Sequence, residues 1–469
     1  MPSSIPTLAL CLAQIAIPAI SAAQIPLLPQ SHTEGYEFDP LLHLPGISPY
    51  FDAIGSGLSH DAPRDCEVTA ASYLVRHAAI YANDDDYEKY MEPILEKMDT
   101  TFSTASKKRR QGWTGPLEFL DKWKTPITDP KSQLEKITPQ GVKDAKKVSK
   151  HLLDRYPLLV PTTKKIYADK KSRTQDTAKA FAAVFPQSVE VVKIELEESF
   201  HSQVPHKSCN KFSKAPGDKE LDEFVQFYTR NVISRLQRFA PVELEAYDII
   251  GLQQMCGYES AITGKVSKLC AVFTDDEWMA YEYAWDLKYS YMVGHGNPLS
   301  PYLGFPWLNT TSELMSRFHA PQHQASKNEG DDIPDDDGQR FFIAFTHREV
   351  PPFIATAMGL FNSSSAQAEE FPTDRINWSR AWKMAELIPF LGHVGIEKLT
   401  CYGRHSGEDE NTPEEFIRVI ANSAPRPIPR CQDGPGASCS IDTFTELVRQ
   451  GMEKYGDFDG ICENKHDHK

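Results

Sequence analysis

Two short apolar runs, far apart in the chain, each stop at a histidine. Val68–Val75 (VTAASYLV) leads into Arg76-His77, and Arg340–Thr346 (RFFIAFT) leads into His347-Arg348-Glu349. Both are short for core helices and read as buried strands. A third run, Lys165–Ala168 (KIYA), leads into Lys170–Ala178 (KKSRTQDTA). Helical patterns separate and follow these strands. Thr138–Arg155 has Thr138 as cap, Pro139 at the first helical position, and Val142, Ala145, Val148 and Leu152 on one face. Asp84–Met98, Asp176–Phe185, Val350–Leu360 and Pro413–Ala421 also read as helices. From about 200 to 330 strand-like runs are few, and Glu220–Phe239, Pro241–Ala246 and Asp275–Tyr291 carry helical patterns. The expected fold is therefore α/β: a mostly parallel sheet flanked by helices, with an inserted all-α subdomain. Residues 24–65 read as an extended arm, Ser106–Gln111 (SKKRRQ) as a basic loop and Glu329–Gln339 as an acidic loop.

Charge narrows the class of partner. The formal net charge of −15 over 469 residues argues against nucleic acid, which needs an excess of Lys and Arg. A small anion is held only in a locally basic pocket. No run reaches 18 apolar residues, so no membrane span is expected. Residues 1–23 read as a secretory signal peptide, with an apolar stretch Leu8–Ile20 and small residues at Ser21, Ala22 and Ala23. The remainder, 24–469, reads as one domain with the insertion. Removing Cys11 with the signal leaves eight cysteines, which read as four disulfides in an oxidising compartment. Sequons at Asn309, Asn362 and Asn377 point the same way, so the protein is expected to be secreted and glycosylated.

The chemistry is expected at the strand ends. Ligands of open α/β sheets bind outside the carboxyl ends of strands, so His77 and His347 are expected in one crevice. Arg173 opens a helix, and helix N-termini and guanidinium groups both favour anions. Arg76, Arg173 and Arg348 then make a basic pocket, with Glu349 beside it. Other chemistries lack an anchor: there is no CxxC pair, no Gly-x-Ser-x-Gly elbow and no P-loop. Asp84-Asp85-Asp86 lacks calcium-loop spacing and reads as a charged helix start; His466 and His468 read as a terminal tail. Nothing calls for a metal or organic cofactor.

These residues resemble the histidine acid phosphatases, in particular the fungal phytase branch. Arg76-His77 with Tyr81 resembles that family's first motif. Thr138-Pro139-Gln140-Gly141, Ser172-Arg173 through Ala178, Met255-Cys256 through Leu269-Cys270, Gly296-Asn297-Pro298-Leu299 and Arg430-Cys431 through Cys439 are similar in order and spacing over roughly 35–465. The resemblance implies a histidine-phosphatase, phosphoglycerate-mutase-like fold and a small anionic substrate. It implies disulfides Cys66–Cys401, Cys209–Cys462, Cys256–Cys270 and Cys431–Cys439. It also implies His77 as nucleophile, Arg76, Arg173 and His347 as phosphoryl ligands, and Glu349 as proton donor.

Departures from that motif leave two readings open. Ile80 stands for the second arginine, Ala78 for the glycine, Ala82 for the proline and Arg348 for the usual aspartate. Losing one donor at such a centre costs about 3 kcal/mol, on the order of a hundredfold in rate. In the first reading Arg348 takes the vacated place and phosphomonoester hydrolysis, inositol phosphates included, survives. In the second, the pocket is reused by a non-phosphatase enzyme for acid–base chemistry on a less charged organic substrate, or by a protein that only binds. Ile80 is expected to make the pocket floor apolar.

Overall fold

A computed structural model of the chain describes residues 38–103, 112–194, 203–318, 338–363, 371–402 and 413–464. The signal segment, the 106–111 loop, most of the acidic loop and the terminal histidines lie outside the described residues.

One eight-stranded sheet organises the chain. Its strands are β1 (Cys66–Arg76), β2 (Lys165–Asp169), β3 (Glu190–Ile194), β4 (Phe341–Thr346), β5 (His393–Cys401), β6 (Glu414–Ala421), β7 (Ala424–Arg426) and β8 (Cys439–Ser440). They lie in the order β3-β2-β4-β1-β5-β6-β7, with β8 against β6. The pairs from β3 to β1 are parallel, as expected, and helices provide their crossovers. The pairs from β1 to β7, and β6 with β8, are antiparallel, so the sheet is mixed rather than mostly parallel. This half of the sheet went unseen because Pro413–Ala421 reads as a helix. It is instead strand β6: Phe416, Ile417, Val419 and Ile420 suit a buried strand. Its one charge inside that run, Arg418, is neutralised by its register partner Glu397, with Nε donating to Oε2 at 2.6 Å.

The period of two divides the core. In β1, Ala71, Tyr73 and Val75 face one cluster with Ala145, Val148 and Leu152 of the Pro139–Arg155 helix and Phe181 of the Ser172–Ala182 helix. Ala70 and Leu74 face the opposite cluster, which continues into the helical body. Thr138 caps its helix as expected, its hydroxyl accepting from Gly141 N at 2.8 Å.

Between β3 and β4 the described chain is helical, with Asp218–Leu236, Ala246–Thr263, Asp275–Val293 and Ser300–Arg317 as its longest elements. The expected helix Pro241–Ala246 is a lead-in. The helix begins at Ala246, behind a reciprocal cap between Glu245 and Asp248. Ala246–Thr263 is buried on nearly every face, so it has no amphipathic period to detect. Asp84–Met98 is helical but passes through a single π turn, Tyr87–Met91. The Val350–Ala357 helix stops short of Leu360, at Gly359 with φ +71°.

Disulfides join Cys66–Cys401, Cys209–Cys462, Cys256–Cys270 and Cys431–Cys439. Asn362 is exposed, while Asn309 and Asn377 are half-buried. No helix among the described residues is long and apolar enough to cross a membrane.

Candidate active site

Parallel register brings the two histidines together. Arg76 and Thr346 are partners in β1 and β4, so His77 and His347 follow at the same level of neighbouring strands. His77 N donates to Thr346 O at 3.0 Å. The two imidazole centroids lie 5.7 Å apart at 67°. β2 pairs with β4 through Ala168 and Phe345, which carries Asp169 to the level of Thr346, just before His347. The chain then turns through Lys171 into the Ser172–Ala182 helix and places Arg173 in its first turn. Thr177 of that helix accepts from Ala78 N at 3.0 Å and fixes the helix to the loop after His77.

The strand ends enclose a cavity of about 200 Å³. Its lining includes His77, Arg173, His347, Arg348 and Glu349, together with Asn83, Asp84, Glu135, Lys171 and Lys214. Arg348 turns inward, its side chain 12 % exposed. Ile80 does not form the floor. It is fully buried, bridges to Ile137 and belongs to the hydrophobic core, so the expectation of an apolar floor is overturned and the lining is polar. Arg76 lies behind the lining. Its Nη1 donates to Ile388 O at 2.7 Å, and its guanidinium stands 4.4 Å from the Phe390 ring centroid. Arg76 Nε and Nη2 and Arg173 Nε are buried without a protein acceptor among the described residues. Buried N–H groups rarely stay unpaired, and such donors suit an anion.

Hydrogen bonding sets the tautomer of His77. Nδ1 donates to Ala78 O at 2.9 Å, which leaves the lone pair on Nε2. Burial first, then Arg173, Arg76 and His347, hold this imidazole well below its usual range, so it stays neutral in acid. Burial pushes His347 down to about 3, against the pull of Asp169. Asp169 Oδ2 accepts from Lys207 Nζ at 2.5 Å and from His347 Nε2 at 2.7 Å. Burial would raise this carboxyl, but His347 and Lys207 outweigh it and hold the group below the carboxylate range.

Glu349 stands at the cavity wall, 3.9 Å from both His206 Nε2 and Arg348 Nε. Burial raises its pKa, yet His206, Arg348 and His347 together outweigh that effect and keep it ionised. Burial lowers His206 to about 4. Four of the cations around the cavity have a carboxylate: Arg173 with Glu135, Arg348 with Asp86 at 3.1 Å, Lys207 with Asp169, and Lys214 with Asp85 at 2.7 Å. Asp86 is further held by Tyr258 OH at 2.7 Å and Asn83 Nδ2 at 3.1 Å.

Thus His77, His347, Arg173, Arg348 and Glu349 share the cavity lining, and Arg76 stands behind them. Reasoning from sequence missed Asp169, His206, Lys207, Lys214, Glu135 and Asp86. Asp169 was within reach, because it ends β2 and the histidines directly follow the ends of β1 and β4. His206 and Lys207 precede Cys209, whose bond to Cys462 holds that segment.

The sequence matches the model of the histidine phosphatase superfamily (branch 2) over residues 67–422. An acid phosphatase of Komagataella pastoris is 26 % identical over 447 residues, covering 91 % of this chain and 87 % of that protein. Phytase A of Penicillium oxalicum is 28 % identical over 459 residues, covering 88 % and 90 %. The crystal structure of the phytase from D. castellii superposes with a TM-score of 0.76 at 22 % identity, covering 97 % of this chain and 93 % of that one.

Proposed function

The chain belongs to branch 2 of the histidine phosphatase superfamily, and on that premise we propose that it hydrolyses phosphomonoesters through a phosphohistidine formed on His77. The observation that carries this reading is a neutral His77 imidazole beside buried, unpartnered N–H donors of Arg76 and Arg173. The phosphoryl oxygens would satisfy those donors, and Arg348 stands in the same cavity for the charge that Ile80 does not supply.

His77 Nε2 attacks phosphorus, the P–O bond to the leaving group breaks, and a protonated Glu349 gives that oxygen its proton. Water then attacks the phosphohistidine, Glu349 takes a proton from it, the P–N bond breaks and phosphate leaves. Cations around Glu349 hold it ionised. A bound phosphoryl group offsets those cations and brings the carboxyl within reach of protonation in acid. His347, engaged with Asp169, adds its ring to the cavity wall. Secretion, proposed from residues 1–23, the paired cysteines and the three sequons, puts the reaction outside the reducing cytosol. Inositol phosphates enter as candidates because two of the similar proteins are phytases.

The test is phosphate release from p-nitrophenyl phosphate, glycerol 2-phosphate and phytate in acid, with acid-quenched trapping of the phosphoenzyme. We expect release and a trapped intermediate. His77→Ala should lower kcat by on the order of 10³-fold or more and abolish trapping. Absence of any His77-dependent release would overturn the proposal.

The second reading, a pocket reused for acid–base chemistry on a less charged substrate, is favoured by one observation. The carboxylates Glu135, Asp86, Asp169 and Asp85 already neutralise four of the outer cations, Arg173, Arg348, Lys207 and Lys214. It predicts that inorganic phosphate neither inhibits nor stabilises the protein.

A further inference from the structure

A second cavity, of about 530 Å³, adjoins the first and shares Arg348 and Lys214 with it. One wall is the π turn Tyr87–Met91, which contributes Tyr90. The other is the Asp275–Val293 helix, which contributes Trp285, Tyr289 and Met292. The rings form a continuous surface: Tyr90 meets Trp285 edge to face at 5.9 Å, and Trp285 meets Tyr289 at 6.2 Å.

The charges around this cavity cancel in pairs. Lys214 holds Asp85 at 2.7 Å, Lys288 holds Asp218 at 2.6 Å, and Arg348 holds Asp86 at 3.1 Å. The ammonium of Lys89 stands 5.0 Å from the Tyr90 ring centroid, and Glu88 lines the same cavity and balances its charge. A second or third phosphate on the substrate would meet no surplus of cations here. A planar apolar group would meet aromatic faces and a thioether, which are favourable partners. Arg348, between the two cavities, offers charge to a phosphoryl oxygen on one side and a cation to a ring face on the other.

We propose that the substrate is a monophosphate whose alcohol carries an aromatic ring, with the phosphoryl group in the first cavity and the ring in the second. This rests on the phosphomonoesterase reading above and sharpens it. The Tyr90–Trp285–Tyr289 surface then selects the leaving group, and phytate, crowded with phosphates, is a poor fit.

The test compares alkyl esters of matched leaving-group reactivity. kcat/KM is measured for 1-naphthylmethyl phosphate, n-butyl phosphate and phytate. Affinities of the corresponding naphthylmethyl and butyl phosphonates, which are not hydrolysed, are measured by calorimetry on the wild-type chain. The naphthylmethyl compound should be preferred at least about tenfold in both measurements. Met292→Phe, which fills the cavity, should reduce both ratios to within about threefold. Equal values for the two wild-type compounds, or faster turnover of phytate, would overturn the proposal. If no ester is hydrolysed, a tenfold phosphonate preference upholds the ring site and removes the hydrolase reading. Equal phosphonate affinities remove the ring site whatever the turnover, and the wild-type ratio decides should Met292→Phe not fold.

Discussion

Nη1 of Arg348 lies 3.1 Å from Oδ2 of Asp86, so the arginine beside the second histidine is held by a carboxylate from the helix that opens at Asp84, after the first. Both side chains are largely buried, 12 % and 7 % exposed. Removing one partner of such a pair leaves a charge without compensation, a cost of about 3 kcal/mol. Asp86→Asn is therefore expected to lower Tm in phosphate-free buffer. Inorganic phosphate should recover much of that loss and inhibit about tenfold more strongly, because Arg348 is then free to bind it. Thermal melts with and without phosphate, and a Ki, check both statements.

Glu349→Gln keeps the shape of the wall and removes the exchangeable proton. Hydrolysis of alkyl phosphates should fall by about 10²–10⁴ in kcat. p-Nitrophenyl phosphate, whose leaving group needs little help, should lose far less. An equal loss on both ester types would take the proton-donor role away from Glu349.

Acid should destabilise the fold through its buried histidines. Burial holds His347 near 3 and His206 and His393 near 4. The unfolded chain binds these protons from about pH 6.5 downward, while the folded chain does not until pH falls to those lower values. Stability therefore declines as pH drops through that window. Asp169 and Glu349, held low in the fold, add a further loss only below the ordinary carboxylate range. His393 lies outside the cavity lining, with Nδ1 donating to Leu391 O and Nε2 accepting from Ser423 N. His393→Gln should flatten the dependence of Tm on pH, as followed by circular dichroism from pH 7 to 4.

Ile80→Arg would restore the arginine that the first motif lacks, yet it should not restore phosphate affinity. Ile80 is fully buried in the core and pairs with Ile137, so the new guanidinium would have no polar partner. We expect a loss of about 3–5 kcal/mol by denaturant titration and an unchanged or weaker Ki for phosphate.

Much of this site is legible before any coordinates. A strand that ends in histidine announces where its side chain goes, and two such strands announce a crevice; Arg173 is readable from the helix it opens. Asp169 obeys the same strand-end rule, but KIYA alone looks like the whole strand. Glu414, Glu415 and Arg418 hide β6: charges in a run suggest a solvated helix until Glu397, the partner of Arg418 across the sheet, is known. Asp86, Tyr258 and Lys207 reach the site through contacts between distant segments, which no local pattern carries.

The bond between Cys209 and Cys462 spans 253 residues and anchors the segment that bears His206 and Lys207. Translation delivers that segment long before its tether. β2 can pair with β3 soon after both are made, but the ammonium group beside Asp169 is secured only once Cys462 has followed. The cation beside Asp169 is thus fixed in place only after an oxidant has met both cysteines.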